Sequence, residues 1–230
     1  MPNPIFSINK ATYLSNEDKK IIYINNFQIH RGTVYAIDGG SASGKTVLID
    51  ILTGARRVSS GEVLYEDDSI YNVSSKIKKQ EIHVVKQLNK RTWGTVDGLI
   101  KKRLNRYKHL KDIDKKVQEI TRKLKISSLL DKSVRSLTPS QYRAVLLCIG
   151  IVADTKVLII DELEQHLSKR YINNLSKILY RKANYDGVTI IFTTQNKEMF
   201  PSGLTSITIT LDSGRISSVR SKAKKNSKMK

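Results

Sequence analysis

Apolar residues along this chain follow two periods, one of strands and one of helices. Short β-branched and aromatic runs recur: IFSI, IIYI, TVYAI, EVLY, HVVK, VLIID, VTIIFT and SITIT. Of these, TVYAI, VLIID and VTIIFT are continuously apolar, as strands buried on both faces of a parallel sheet are. KTVLIDILTGA follows the first with helical spacing, and Gly54 is placed to end that helix. KRYINNLSKILYRKA lies between the last two. Alternation of this kind predicts an α/β fold with a mostly parallel sheet. The early strands, with turn residues at Asn16-Glu17-Asp18 and Arg31-Gly32, predict an antiparallel β addition. ITITLDSGRISS predicts a hairpin through Asp212-Ser213-Gly214. Residues 89–153 carry almost no strand pattern and read as an inserted helical subdomain. The expected organisation is one domain over 1–230: a core from 1–88 and 154–220, the helical part at about 89–153, and a basic, flexible tail at 221–230.

Composition adds little until charge is counted. A chain of 230 residues, 39% hydrophobic, can bury a proper core. No apolar run approaches the ~20 residues of a membrane-spanning helix. The opening MPNPIFSINKATYL lacks the basic and apolar regions of a secretory leader. The single cysteine, Cys148, lies in the apolar run AVLLCIGIVA and reads as core. With no internal disulfide possible, a reducing cytoplasm is the expected compartment. The net charge of +20 changes the picture. Residues 101–125 hold eleven Lys/Arg against three Asp/Glu, and residues 215–230 hold seven basic residues and no acid. Such charge favours a polyanion: nucleic acid, an anionic membrane surface or a nucleotide. A solvated helix face and a disordered tail account for the same residues without a partner.

The stretch YAIDGGSASGKTVLIDIL contains Gly39-x-x-x-x-Gly44-Lys45-Thr46 between an apolar strand and a helix. That is the full phosphate-loop pattern in its proper context. Its glycines let the N–H groups of Gly39, Gly40, Ser41, Ala42, Ser43 and Gly44 curl round phosphates. Lys45 reaches the β- and γ-phosphates, and the Thr46 hydroxyl ligates Mg²⁺. KVLIIDE ends a second buried strand in Asp161-Glu162. Asp161 is placed to hold the metal, and Glu162 to polarise an attacking water. The fold expected is therefore a P-loop NTPase core.

In SLTPSQYRAVL, Thr138 and Gln141 form a capping box, with Pro139 at the first helical position. Gln141 lies twenty positions before Asp161. This arrangement resembles the ATP-binding cassette (ABC) ATPases, in which a Leu-Ser-Gly-Gly-Gln signature opens a helix shortly before the second acidic strand. Leu137-Thr138-Pro139-Ser140-Gln141 stands in that place. Gln87, after HVVK, falls where the family has a glutamine that senses metal and water. Ser60-Gly61-Glu62-Val63, the stretch 163–168 and the stretch 211–216 resemble further family segments. Tyr13 stands where an aromatic stacks on adenine, with Tyr23 or a plain core role as alternatives. Departures are equally clear. Pro139 and Ser140 replace the signature glycines, Gln195 stands where the family has a switch histidine, and Ser168 replaces the usual Asp. His166, two residues away, reads as a surface histidine.

The resemblance implies an ATP- and Mg²⁺-dependent ATPase subunit, acting as a homodimer or heterodimer in which Thr138, Ser140 and Gln141 of one cassette complete the other's site. It implies separate transmembrane subunits, met near residues 88–99 including Trp93, and a peripheral place on the inner face of the cell membrane. Gln87, Glu162 and Gln195 would carry catalysis, and Thr46, Gln87 and Asp161 the metal. The worn motifs imply slow hydrolysis. Two alternatives stay open: a soluble nucleic-acid- or ribosome-associated cassette, and a regulatory cassette that binds ATP with little turnover.

Overall fold

The computed structural model describes residues 3–87 and 90–221. Leu88, at the head of the 88–99 segment, and the tail residues 222–230 lie outside the described residues.

Two sheets form. One is antiparallel, in the order β2-β1-β4-β5, from β1 (Pro4–Leu14), β2 (Lys20–His30), β4 (Ser60–Tyr65) and β5 (Asp68–Ser69). The other runs β10-β9-β3-β8-β7-β6. Its members are β3 (Val34–Asp38), β6 (Ile82–Val85), β7 (Val157–Ile160), β8 (Thr189–Thr194), β9 (Ile207–Asp212) and β10 (Arg215–Ser221). All its neighbours pair parallel except β9 with β10, the hairpin expected through Asp212-Ser213-Gly214.

The three continuously apolar runs are β3, β7 and β8, and the period of two explains them. Tyr35, Ile37, Val157, Ile159 and Ile191 face a core shared with the antiparallel sheet and with α1 (Lys45–Leu52). Val34, Ala36, Leu158, Ile160, Ile190 and Phe192 face a second core, closed by helices. These are α3 (Val96–Leu104), α4 (Ile113–Lys123), α5 (Pro139–Val152) and α6 (Lys169–Asn184). A short α2 (Ser75–Glu81) precedes β6. Gly54, at φ 69°, follows α1 as its C-cap glycine, and Cys148 is fully buried in α5. Trp93 is 79% exposed, with the Arg135 guanidinium 3.4 Å from its ring centre.

Candidate active site

Because β3, β6, β7 and β8 are parallel, their carboxyl ends deliver side chains to one edge of the sheet. β3 leads to Gly39, β7 to Asp161, β8 to Gln195 and β6 toward Gln87. Ligands of open α/β sheets bind at this edge.

The loop between β3 and α1 owes its shape to its residue types. Gly44 has φ 99°. A Cβ there would meet Ile22 at 2.9 Å, and one on Gly39 would lie 2.5 Å from the Leu211 carbonyl oxygen, so only glycine fits. The Gly39 N–H donates to the Thr194 carbonyl at 3.2 Å, and the Gly214 N–H donates to the Ser43 carbonyl at 3.0 Å. The hairpin of β9 and β10 thus braces the loop. Lys45 is buried, and its ammonium donates to the carbonyls of Gly39 and Gly40 at 2.7 Å each. Gly40, Ser41, Ala42 and Thr46 are exposed.

Thr46 and Asp161 come together. The Thr46 hydroxyl donates to Asp161 Oδ2 at 3.1 Å, and Thr193 Oγ1 donates to Asp161 Oδ1 at 2.7 Å. The Glu162 N–H donates to the same Thr193 oxygen at 2.7 Å. Asp161 is 4% exposed. Glu162 turns away from the strand through a left-handed φ of 49°. Its carboxylate accepts from Gln87 Nε2 at 2.5 Å on one oxygen and from Gln195 Nε2 on the other. Gln195 is held in turn by Glu164, whose Oε1 accepts the Gln195 N–H at 2.8 Å and the Thr194 hydroxyl at 2.7 Å.

These groups fit a magnesium–triphosphate. A hydroxyl and a carboxylate oxygen are the hard donors that Mg²⁺ takes beside phosphate oxygens. The Ser43 hydroxyl is buried with no hydrogen-bond partner, an orphan beside the loop's concavity. The N-terminus of α1 supplies the positive end that phosphate prefers.

Arg143 and Thr193 belong to this cluster and carried no motif. Arg143 is 3% exposed, and its guanidinium donates to the carbonyls of Lys86 (2.9 Å), Asp161 (2.7 Å) and Glu162 (2.8 Å). Burial pushes it down to about 10 from its ordinary value, with Asp161, Glu164 and Glu162 pulling the other way. The signal available was a lone charge in the apolar run YRAVLLCIGIV.

Tyr13 is half-buried and lines a cavity of about 440 Å³ with Val47 of α1, Ile21 and Arg56. Arg56 donates to the Tyr13 hydroxyl at 2.9 Å, lies 5.6 Å from the ring centre, and pairs with Asp50 at 2.9 Å. Tyr23 instead faces Lys20 and Arg215, at 5.1 and 5.4 Å from its ring. The Thr138 end of α5 stands outside the hydrogen-bonded cluster. Thr138, Pro139 and Ser140 are exposed, and the bonds of Thr138 and Gln141 close on each other at 3.0 and 3.2 Å. His166 is exposed, and Ser168 caps α6 by accepting from the Tyr171 N–H at 3.3 Å.

Thr46 and Asp161, 115 positions apart, meet across the crook between a strand-end loop and a parallel neighbour. That meeting makes the domain a P-loop NTPase. The chain belongs to the ABC transporter family, whose model, described as "ABC transporter", matches residues 24–165. It is 25% identical over 199 residues to an ABC transporter ATP-binding protein of Clostridium tetani, covering 84% of this chain and 44% of that protein. The chain thus spans under half the length of that curated relative. Among solved structures it resembles cbiO1 of Clostridium perfringens, part of the cbiONQ transporter complex. The TM-score is 0.80 at 25% identity, covering 95% of this chain and 89% of cbiO1. It also shares the fold of the cassette MJ0796, in a dimeric state bound to ADP and Pi, with TM-score 0.82 at 17% identity, covering 94% and 98%.

Proposed function

We propose that this chain binds and hydrolyses ATP as the motor subunit of a membrane ABC complex. The observation that carries the reading is the Thr46–Asp161 bond, with Glu162 next in the chain and cupped by Gln87 and Gln195. The N–H groups of Gly39 to Gly44 cradle phosphate oxygens, and the Lys45 ammonium neutralises their charge. Thr46 and Asp161, with Gln87, would hold Mg²⁺, which when bound withdraws charge from the β- and γ-phosphates. Glu162 accepts a proton from water, and the two glutamine amides fix its orientation. Gln195 donates a hydrogen bond but cannot carry a proton, so turnover is slow. Tyr13 offers the adenine a face beside its 440 Å³ cavity.

The exposed Thr138 and Ser140 and the half-buried Gln141 of one cassette face the phosphates held by a second, identical or homologous, cassette. Within each cassette, residues 89–153 move as a helical subdomain. No helix among the described residues is long and apolar enough to cross a membrane. Transmembrane subunits complete the complex, as the cbiONQ assembly of a similar cassette suggests, with this subunit peripheral on the inner face. The work done is transport, extraction of a lipid or lipoprotein, or mechanotransmission.

Glu162→Gln tests the reading. The variant keeps the amide-acceptor geometry on one oxygen and loses the base. It is expected to bind ATP, to lose turnover at least ~100-fold, and to accumulate as an ATP-dependent dimer in analytical ultracentrifugation. Undiminished turnover would reject Glu162 as the base.

A further inference from the structure

A second cleft lies at the outer edge of the six-stranded sheet. β6 is the edge strand there, and α2 and α3 flank it. The cleft holds about 310 Å³. The charged side chains lining it are Lys78, Lys79, Lys86, Arg103 and Arg106, and no carboxylate is among the lining residues. Elsewhere many cations are answered: Arg31 by Glu66, Lys101 by Asp97 and Asp114, Lys182 by Asp154 and Asp186. Here they are not. The Lys78 ammonium donates to the Ile70 carbonyl at 3.1 Å, and Arg106 donates to the Tyr107 hydroxyl at 2.5 Å. Both leave the positive charge unneutralised. Among the described residues, Lys79 and Arg103 have no hydrogen-bond or ion-pair partner. Like charges converging in a concave, low-dielectric site focus potential and concentrate counter-ions.

The buried His83, on the floor of this cleft, registers that field. It is held neutral, down at about 3, by burial first and then by Arg106 and Arg103. The Tyr107 hydroxyl receives Arg106, and so donates to His83 Nδ1 at 2.5 Å.

We propose that this cleft is a second anion site, separate from the phosphate loop, and that it takes a phosphate group. Lys78 and Lys79 project from α2, Arg103 from α3 and Arg106 from just beyond it, so a ligand must offer acceptors to both walls. The three free oxygens of a terminal phosphate do so, whereas the two oxygens of a carboxylate share one plane. The source is a soluble polyphosphate or a phospholipid headgroup that ends in a phosphomonoester. Occupancy would reach the nucleotide site through the chain itself. Lys86 precedes Gln87, and its carbonyl shares Arg143 with Asp161 and Glu162.

The test uses the full chain carrying Lys45→Ala, so that the phosphate loop does not mask the second site. Inorganic pyrophosphate is titrated calorimetrically, and in a parallel arm phosphatidylcholine vesicles containing phosphatidic acid are co-sedimented against phosphatidylcholine vesicles alone at physiological salt. The expectation is saturable binding in one arm, at least about tenfold weaker when Lys79→Gln and Arg103→Gln are added. The His83 imidazole NMR signals should move on binding, a readout independent of these surface variants. Pyrophosphate binding alone identifies a soluble ligand, and vesicle binding alone a headgroup. No binding in either arm, or binding unchanged by the two substitutions, would overturn the proposal. Either result leaves the nucleotide reading standing, because that is measured with Lys45 intact.

Discussion

The phosphate loop and the Thr138 tip are both helix N-termini, and they are finished in opposite ways. Gly44 precedes α1 and contributes no side-chain cap, so the first N–H groups of that helix stay open toward the loop's concavity. α5 closes on itself. Thr138 and Gln141 satisfy each other's backbone N–H groups, and Pro139 removes another donor. The first terminus is preorganised for an anion, whereas the second has already spent its donors. Of these two termini, α1 is therefore the one that holds phosphate. What the tip can offer a neighbouring subunit's phosphate rests on the exposed Ser140 and the positive end of the helix.

Arg143 joins the two regions, and removing it is expected to have the largest effect. It stands on α5, a few residues past the tip, yet bonds the carbonyls of Lys86, Asp161 and Glu162. Arg143→Met keeps much of the apolar stem and removes three hydrogen bonds from a charged donor, although the Glu162 carbonyl keeps the Gln165 N–H at 3.0 Å. Each hydrogen bond to a charged group is worth roughly 1.5–3 kcal/mol, and the carbonyls are only partly left unpaired, so a loss of about 4 kcal/mol is expected in denaturant unfolding. ATPase activity should fall as the Asp161–Glu162 segment loosens. A loss under ~1 kcal/mol would mean that water replaces the guanidinium and that the two regions are not coupled through it.

Lys45→Ala addresses the loop alone. The ammonium is buried and its present partners are loop carbonyls, so its charge is available to phosphate at little structural cost. ATP affinity should drop about 100-fold, near 3 kcal/mol, as read by fluorescent-nucleotide binding. The melting temperature without nucleotide should hardly move. An equal fall in affinity and in apo stability would show that Lys45 serves the fold first.

Which features were legible in the chain follows the same division. The strands and the loop were readable because their information is local: apolar continuity, glycine spacing and an acid at a strand end. The pairing of Gln87 and Gln195 on one carboxylate was readable only as two positions near a site. Their convergence depends on β6 and β8 flanking β7, an order that spacing alone does not specify. Arg143 and Thr193 were illegible for a sharper reason. One looks like a snorkelling charge in an apolar helix, the other like any β-branched strand residue. Their partners, apart from the Asp161 carboxylate on Thr193, are backbone atoms, which leave no trace in residue type. The all-cation cleft was hidden likewise, since α2, β6 and α3 bring its walls from separate stretches.

Acid separates the regions in another way, by about 2 kcal/mol. His83 is a residue of β6 and faces Gly150, at the end of α5 opposite its cap. In the unfolded chain its imidazole takes up a proton near pH 6.5, but in the fold not until about 3. Between those values the unfolded state binds more protons, so stability falls as pH falls. At pH 5 the gap amounts to about 2 kcal/mol, absent at pH 7 and above. His83→Asn retains an acceptor for Tyr107 and cannot titrate. Unfolding measured at pH 7, 6 and 5 should therefore be less acid-sensitive in the variant. Parallel losses in both proteins would show that His83 protonates in the fold at its ordinary value.

Thr138→Ala has the smallest expected effect and separates the two termini most directly. It removes the hydroxyl that accepts from the Gln141 N–H at 3.2 Å. Loss of such a cap costs ~1 kcal/mol of stability. If the termini are independent, the affinity of the single chain for ATP stays at the wild-type value. The ATP-driven dimer of the Glu162→Gln protein should weaken, because the frayed tip is the part offered across the seam. A fall in single-chain ATP affinity would place the tip inside its own nucleotide site. A dimer of unchanged strength would instead remove the tip from the seam, and with it the contrast between an open terminus that holds a phosphate and a closed one that only touches it.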